Sequence, residues 1–148
     1  MFRGQSYHTI DEKGRIIVPA RFRSVIADAG EAAVMLAQLD GGLFAYTLPQ
    51  WRIIENKILA MPRTTKEFRR FRRILIGGSS ECRLDKQDRI LVPPALREYA
   101  GLESEIALVG VLDHFEIWSR KRLDEEAGLL ENDLSSDEFA DQVAELGL

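Results

Sequence analysis

Two stretches of this sequence share one pattern: residues 10–23 read IDEKGRIIVPARFR, and residues 84–97 read LDKQDRILVPPALR. Both follow Asp-x-x-x-Arg, then two apolar residues, Val-Pro, two variable residues, an apolar residue and Arg. A looser likeness continues downstream, where residues 39–46 resemble residues 112–118. Because a pattern repeated at a fixed offset indicates a structural repeat, the sequence predicts a duplicated unit of roughly 45 residues.

Each copy predicts the same local structure. The segment before the arginine predicts a turn, since Gly14 accepts a positive φ and Asp11 can form a hydrogen bond with the backbone ahead of it. The β-branched run that follows predicts a strand, and the proline after it predicts the start of a helix. A hairpin completes each unit. These strands and helices are predicted over residues 15–18, 20–27, 34–39 and 43–48, and over residues 90–92, 94–100, 106–112 and 115–118.

Strands this short cannot bury a core alone, so the two units are expected to pack together around a pseudo-two-fold axis. Four segments are therefore predicted along the chain: a first unit over residues 5–48, a helical insert over 49–78, a second unit over 79–123 and a tail over 124–148.

The insert predicts two helices. Apolar residues at helical spacing favour the first helix over residues 49–61, and a capping-box pattern at 64–67 favours the start of the second. The second helix is rich in arginine, and its basic residues are Lys66, Arg69, Arg70, Arg72 and Arg73, with Arg63 just before it. The cluster is a candidate for phosphate contact or for a subunit interface. Pairing with the acidic residues of the same chain is the alternative.

The formal net charge of −4 conceals two parts of opposite sign. Residues 1–123 carry 20 basic and 15 acidic side chains, whereas residues 124–148 carry nine acidic side chains and no basic one. A basic body with an acidic tail hints at nucleic-acid contact, although charge patterning for solubility gives the same split. Within the tail, a capping signal at Ser135 and the spacing of Phe139, Val143 and Leu146 predict a short amphipathic helix, with disorder as the alternative.

Catalytic and cofactor chemistry has little support in the sequence. Cys82 is the only cysteine, which excludes an internal disulfide, and its position before a strand favours a buried structural thiol. Neither His8 nor His114 has metal-ligand spacing, and both are interpreted as turn or surface imidazoles. Asp11 and Asp85 form the only candidate carboxylate pair, but an arginine four residues after each favours a structural role. No enzyme activity, metal, cofactor or small-molecule substrate is expected.

No apolar run approaches the ~20 residues that a membrane helix needs. The N-terminal residues also lack the apolar stretch of a signal peptide. A cytoplasmic protein with no membrane partner is expected.

The opening Met1-Phe2-Arg3-Gly4, the two Asp-x-x-x-Arg copies, the paired Val-Pro steps and the arginine-rich insert resemble the MraZ family of bacterial transcriptional regulators. This family lies within the AbrB-like swapped-hairpin superfamily, and the resemblance runs from Met1 to about Glu126. It implies an α+β fold in which two tandem AbrB-like swapped-hairpin units form a pseudo-two-fold β-barrel with flanking helices. It also implies a homo-oligomeric ring, associated with the nucleoid, that binds direct repeats in double-stranded DNA. Such a ring would repress its own promoter, upstream of the division and cell-wall gene cluster.

Carried onto this chain, the resemblance assigns DNA contact to two loops. In the first, Arg15 would reach a guanine edge or a phosphate, Lys13 would bind phosphate, and Gly14 would let the backbone approach the duplex. In the second, Lys86 and Arg89 are the counterparts. There Gln87-Asp88 replaces Lys13-Gly14, and although Asp88 tolerates a left-handed turn, its charge repels phosphate. The first loop is therefore expected to carry more of the contact.

Two alternatives stay open. Asp11 and Asp85 would pair with Arg15 and Arg89, and such a pair can either hold the arginine for DNA or be purely intramolecular. At the level of the whole protein, the alternative to a DNA-binding repressor is an AbrB-like protein-interaction module of toxin-neutralising type that acts through its acidic tail.

Overall fold

The computed structural model describes residues 1–62 and 65–148. The first repeat contains β1 (Gln5–Thr9), β2 (Arg15–Ile17), α1 (Ala20–Asp28), β3 (Ala33–Leu39), β4 (Gly42–Thr47) and α2 (Leu48–Ala60). Helix α3 (Lys66–Gly77) links it to the second repeat, which contains β5 (Ser80–Arg83), β6 (Arg89–Leu91), α4 (Pro94–Ala100), β7 (Glu105–Gly110), β8 (Phe115–Ser119) and α5 (Arg120–Leu134). Helix α6 (Asp137–Ala144) follows. Arg63 of the predicted basic cluster and Thr64 of the predicted capping box lie outside the described residues.

The mixed α and β architecture and the two repeated units are confirmed. Strands β1 and β5, which precede the two Asp-x-x-x-Arg motifs, were not predicted. The repeat also continues past the hairpins into helices, because Thr47 caps α2 by accepting from Gln50 N and Ser119 caps α5 by accepting from Arg122 N. Helix α5 therefore runs across the boundary proposed between residues 123 and 124.

The strands of the two repeats are interleaved. Six strands form one antiparallel sheet in the order β1-β7-β8-β4-β3-β5. The first strand of each repeat pairs with the hairpin of the other: β1 pairs with β7 in the register Gln5↔Val109, and β5 pairs with β3 in the register Ala33↔Arg83. Strands β2 and β6 pair with each other in a separate two-stranded ribbon centred on Ile16↔Ile90.

The expected closed barrel is not found among the described residues. The six-stranded sheet ends at β1 on one side and at β5 on the other. A barrel requires its edge strands to be joined through backbone pairing. Here β2 and β6 use their hydrogen bonds on each other, so no strand bridges the two edges in the described part of the chain.

Three phenylalanines from both repeats meet at the centre of the main core. The ring centroid of Phe22 in α1 lies 5.5 Å from that of Phe2 and 4.8 Å from that of Phe115 in β8. Ile16 and Ile90, the central pair of the ribbon, are fully buried beside this cluster. The ribbon is thereby fixed to the body of the protein by its inward face.

A smaller cluster holds α2 and α3 against the sheet through Ala37, Trp51, Ile58 and Leu75. From α3, Leu75 belongs to this cluster and Phe68 packs against it, whereas Phe71 is 43% exposed.

The acidic tail is helical in the structure. Helix α6 corresponds to the amphipathic helix predicted around Phe139 and Val143, and α5 precedes it.

Within the described part of the chain, no helix has both the length and the apolar character that crossing a membrane demands.

Candidate nucleic-acid interface

The first loop (residues 11–14) is organised by the carboxylate of Asp11. Its Oδ1 accepts hydrogen bonds from the backbone N–H groups of Lys13 at 3.0 Å and Arg15 at 2.8 Å, and its Oδ2 accepts from Arg15 Nε at 2.6 Å. An aspartate that bonds the backbone ahead of it fixes a turn. The same carboxylate therefore shapes the loop and orients the guanidinium of Arg15, whose side chain stays 32% exposed.

The second loop (residues 85–88) repeats this geometry. Asp85 Oδ1 accepts from the backbone N–H groups of Gln87 at 2.8 Å and Arg89 at 2.9 Å, and its Oδ2 accepts from Arg89 Nε at 3.0 Å. One contact has no equivalent in the first loop: Arg89 Nη2 also donates to Gln87 Oε1. Part of the Arg89 fork is thus occupied within the chain.

Each loop needs one residue with a left-handed backbone. Gly14 has φ +91° and its repeat counterpart Asp88 has φ +63°, so the sequence inference that Asp88 tolerates this turn is confirmed. At Gly14 a Cβ atom would lie 3.0 Å from the Val92 carbonyl oxygen and 3.0 Å from Arg97 Nη1. The positive φ favours a glycine there, and a larger residue would also crowd these two atoms.

Each loop is held in place by the other repeat. Val92 N donates to the Gly14 carbonyl, and Val18 N donates to the Asp88 carbonyl, both at 2.9 Å. Arg97 Nη1 donates to the Glu12 carbonyl at 3.2 Å. These contacts couple the position of each loop to the pairing of β2 with β6.

Arg23 and Arg97, which end the two motif copies, are positioning residues for the loops. Arg23 Nη1 donates to the Val18 carbonyl at 2.6 Å, and Arg23 Nε lies 3.5 Å from Asp88 Oδ1. Arg23 therefore offsets part of the negative charge that Asp88 brings to the second loop. The signal was present in the sequence, since both copies of the motif close on an arginine.

The ribbon places both arginines on one exposed face. Arg15 pairs with Leu91 and Ile17 pairs with Arg89, while Ile16 and Ile90 between them point inward. Ile17 is 54% and Leu91 56% exposed. The outer face of the ribbon thus presents two guanidinium groups and two apolar side chains contributed equally by the two repeats. A two-stranded ribbon fits the DNA major groove, and guanidinium groups suit both guanine edges and phosphates.

Hydrogen bonding keeps both loop carboxylates ionised. The pKa of Asp11 is lowered mainly by the backbone N–H of Arg15, and the pKa of Asp85 is lowered mainly by the backbone N–H of Arg89. A carboxylate whose pKa is lower in the folded state contributes stability above its unfolded pKa and loses that contribution as the pH falls through its folded pKa. Both pairs are therefore fully formed at neutral pH.

Replacing Asp11 with asparagine is expected to release Arg15 selectively. In the unchanged protein, the NMR signal of the Arg15 Nε–H should stay constant near neutral pH and move only when the pH falls below about 3.8, the usual pKa of aspartate. Asp11→Asn removes the charge, so its Arg15 signal should be shifted at neutral pH and should not titrate. The matched control is Asp85→Asn, which should move the Arg89 signal alone. An Arg15 signal unaffected by Asp11→Asn would contradict the pairing.

The arginines of α3 form a separate basic surface. Helix α3 packs against β3, whereas the ribbon neighbours β1 and β5. Arg69, Arg70 and Arg73 are exposed and line one groove together with Lys66. Arg72 is half-buried, and its Nη1 atom is buried without a hydrogen-bond partner among the described residues. The structure thus brings Arg15 and Arg89 together but does not add the α3 arginines to them.

Lysines are distributed unequally between the loops. Lys13 and Lys86 are both exposed. In the register that aligns Arg15 with Arg89, Lys86 aligns with Glu12, and Lys13 aligns with Gln87. The two loops therefore present different charge patterns at equivalent positions.

His114 was interpreted as a turn or surface imidazole; it lies in the connection between β7 and β8, but it is buried and therefore not a surface residue. Its Nδ1 and Nε2 atoms lie 2.7 Å from Asp113 Oδ1 and Glu116 Oε2, and its ring stacks on Phe44 and Tyr46 of the other repeat. Burial lowers the pKa of His114, but the bonds to Glu116 and Asp113 outweigh it and raise the pKa above its usual value. The histidine thus joins the two hairpins.

Cys82 is buried and its pKa is raised to about 11 by that burial, which confirms a structural thiol. Within residues 1–62 and 65–148, no group of three or more His, Cys, Asp or Glu side chains is placed to hold a metal ion.

Comparison with known proteins matches both halves of the chain to one family. The family model described as "MraZ protein, putative antitoxin-like" matches residues 1–74 and again residues 75–144. Three relatives, each named transcriptional regulator MraZ, align over 148 residues and cover 100% of both chains. They come from Desulforapulum autotrophicum at 54% identity, Desulfosudis oleivorans at 51% and Caldicellulosiruptor bescii at 40%. This chain belongs to the MraZ family.

Proposed function

We propose that this protein is a transcriptional regulator that binds specific sequences in double-stranded DNA through the outer face of the β2–β6 ribbon. The observation that carries the proposal is the cross-strand pairing that sets Arg15 and Arg89 on one exposed surface, each held by an aspartate. The relatives named as transcriptional regulators support the regulatory role. The exchange of first strands between the repeats supports an AbrB-like swapped-hairpin fold.

In this proposal the two loops contribute unequally. Arg15 reads a guanine edge or clamps a phosphate and Lys13 binds phosphate. Gly14 is buried beside Val92 and Arg97, so its part is to shape the loop that carries these two side chains. In the second loop, Gln87 already occupies part of the Arg89 fork, and Asp88 repels phosphate even with Arg23 beside it. Lys86 and Arg89 therefore add the smaller share of the binding free energy.

A single ribbon offers few phosphate contacts, so one chain binds DNA weakly. A homo-oligomeric ring that presents several ribbons to tandem direct repeats gains affinity through effective concentration, provided that repeat spacing matches ribbon spacing. We place these repeats upstream of the protein's own operon, at the promoter of the division and cell-wall gene cluster. There the bound ring, located in the cytoplasm on nucleoid DNA, represses transcription.

Titration with DNA from upstream of the gene tests this function directly. Tandem repeats from that region should bind more tightly than scrambled DNA of the same length, and more tightly than a single repeat. The logarithm of the binding constant should fall linearly with the logarithm of the salt concentration, as it does when basic side chains displace counterions from phosphates. Equal affinity for repeats and scrambled DNA at every salt concentration would refute the proposal.

The second candidate is a toxin-neutralising module, favoured by the antitoxin-like description of the family and by the exposed acidic tail. The two functions separate in the same titration. A neutralising module would show no preference for the repeats over scrambled DNA, whereas the repressor would show that preference.

A further inference from the structure

The tail, residues 124–148, buries almost none of its side-chain surface. Every residue from Asp124 to Glu138 is exposed, including Leu129, Leu130 and Leu134 of α5. The tail also carries nine acidic and no basic side chains. Two helices that leave an apolar stripe in water beside a strongly negative face are typical of an interaction surface.

Helix α3 presents the complementary surface. Phe71 and Ile74 are 43% and 51% exposed, and they line an apolar groove of about 260 Å³ together with Gln38, Leu39, Glu67, Arg70 and Leu75. Arg70 also lines the adjoining basic groove, which is formed by Lys66, Arg69, Arg70 and Arg73. Exposed apolar surface and a positively charged surface therefore lie side by side on α3, and together they match the tail in both respects.

We propose that α3 of one copy of this chain binds the acidic tail of a second copy. Leu129, Leu130 and Leu134 of the tail cover Phe71 and Ile74, while tail carboxylates lie against Arg70 and Arg73. Apolar burial supplies most of the affinity, since exposed ion pairs contribute little individually and chiefly select the partner. This contact deepens the proposed function, because it rests on the ring assumed there and forms without DNA.

The tail that binds α3 comes from a second copy, because the tail of the same chain leaves the sheet at other strands. Helix α5 starts on β7 and β8, whereas α3 packs on β3, and β4 lies between them in the sheet. Helix α5 is continuous through Leu134 and does not cover α3 of its own chain. Leu129, Leu130 and Leu134 stay exposed, and so do Phe71 and Ile74.

The proposed contact joins two different surfaces, so each copy can bind one neighbour through α3 and another through its tail. A head-to-tail contact of this kind closes into a ring when the rotation between neighbours returns to the start, and otherwise extends as a filament. The tail and α3 would thus supply the interface that ring assembly needs.

Charge reversal tests the contact without DNA. Arg70→Glu with Arg73→Glu, and separately deletion of residues 124–148, should each reduce the mass of the assembly measured by light scattering. Glu126 and Asp133 lie on the same face of α5 as Leu130, so Glu126→Lys with Asp133→Lys should impair assembly as well. Mixing the two charge-reversed proteins should restore it. Arg15→Ala should assemble like the unchanged protein, which separates failure of this contact from failure of DNA binding.

Cross-linking gives a second test, in which the substituted proteins are expected to fold normally. A copy with Ile74→Cys and a copy with Leu130→Cys should form a cross-linked dimer when mixed, and neither should do so alone. The buried Cys82 is present in every sample. The control replaces Ile74→Cys with Ile53→Cys, an exposed position on α2 that should not cross-link to the tail.

Three results would overturn the proposal. The first is an unchanged assembly mass after deletion of the tail and after reversal of the α3 arginines. The second is a loss of DNA affinity with normal assembly in the Arg70→Glu and Arg73→Glu protein, which would make α3 a DNA contact. The third is an intramolecular cross-link in a chain that carries both cysteines, which would show that each tail covers its own α3.

Discussion

Replacing Arg15 with alanine is expected to abolish measurable binding to the tandem repeats. One bidentate arginine–guanine contact contributes about 1–3 kcal/mol of discrimination. Arg15 is the better placed of the two ribbon arginines, since Asp11 holds it through Nε, whereas the fork of Arg89 is also engaged by Gln87. In a ring that uses several ribbons at once, the loss is repeated at every ribbon.

The loss of affinity in Arg15→Ala should occur without a loss of folding. The pair that Arg15 forms with Asp11 is exposed to solvent, and such pairs contribute little to stability. The thermal unfolding curve and the assembly mass should therefore match those of the unchanged protein. Fluorescence anisotropy with repeat DNA and with scrambled DNA measures the effect.

Two variants make the Arg15 result specific. Arg15→Lys keeps the charge but removes the planar fork, so it should retain affinity for scrambled DNA and lose the preference for the repeats. Arg89→Ala should weaken repeat binding less than Arg15→Ala does. Retained repeat affinity in Arg15→Ala would remove this residue from the proposed contact, and an equal effect of Arg89→Ala would contradict the expected asymmetry of the loops.

The motif loops and their strands were predictable because their chemistry is local. Asp11 and Gly14 shape a turn within four residues, and Pro19 sets the start of α1 directly after it. The strand predicted over 15–18 is observed as Arg15–Ile17. Such features depend on neighbours in the sequence, so a single sequence is enough to find them.

Other features could not be predicted because their partners lie in the other repeat. Strand β1 has no β-branched run, and it is a strand because β7 supplies its hydrogen bonds. His114 is buried by Phe44 and Tyr46, which the linear sequence does not place beside it. The roles of Arg23 and Arg97 arise only when the interleaved repeats bring each arginine to its loop contacts.

Helix α5 at the start of the tail could have been predicted from the repeat itself. Thr47 and Ser119 are equivalent helix caps after equivalent hairpins, so the helix after the first hairpin predicts one after the second. The composition of the segment indicates only its negative charge. Alignment of the two repeats beyond their motifs would have indicated α5.

Replacing Phe22 with alanine is expected to give the largest loss of stability. Phe22 is fully buried and contacts Phe2 in an edge-to-face arrangement and Phe115 in a stacked one. Truncation of a buried phenylalanine to alanine costs about 3–5 kcal/mol through lost contacts and the cavity that remains. Because domains of this size are stable by only about 5–15 kcal/mol, the variant should lie close to the unfolding threshold.

Because of where Phe22 lies, its truncation should destabilise both repeats and not only α1. Phe22 and Phe2 belong to the first repeat and Phe115 to the second, so the cavity would open where the two interleaved units meet. Urea unfolding followed by circular dichroism should show a lower midpoint in a single transition, with both repeats lost together. Phe22→Leu, which retains more of the volume, should lose less stability and keep the measurement possible if Phe22→Ala does not fold. A loss below about 1 kcal/mol for Phe22→Ala, or two separate transitions, would show that this cluster does not join the repeats.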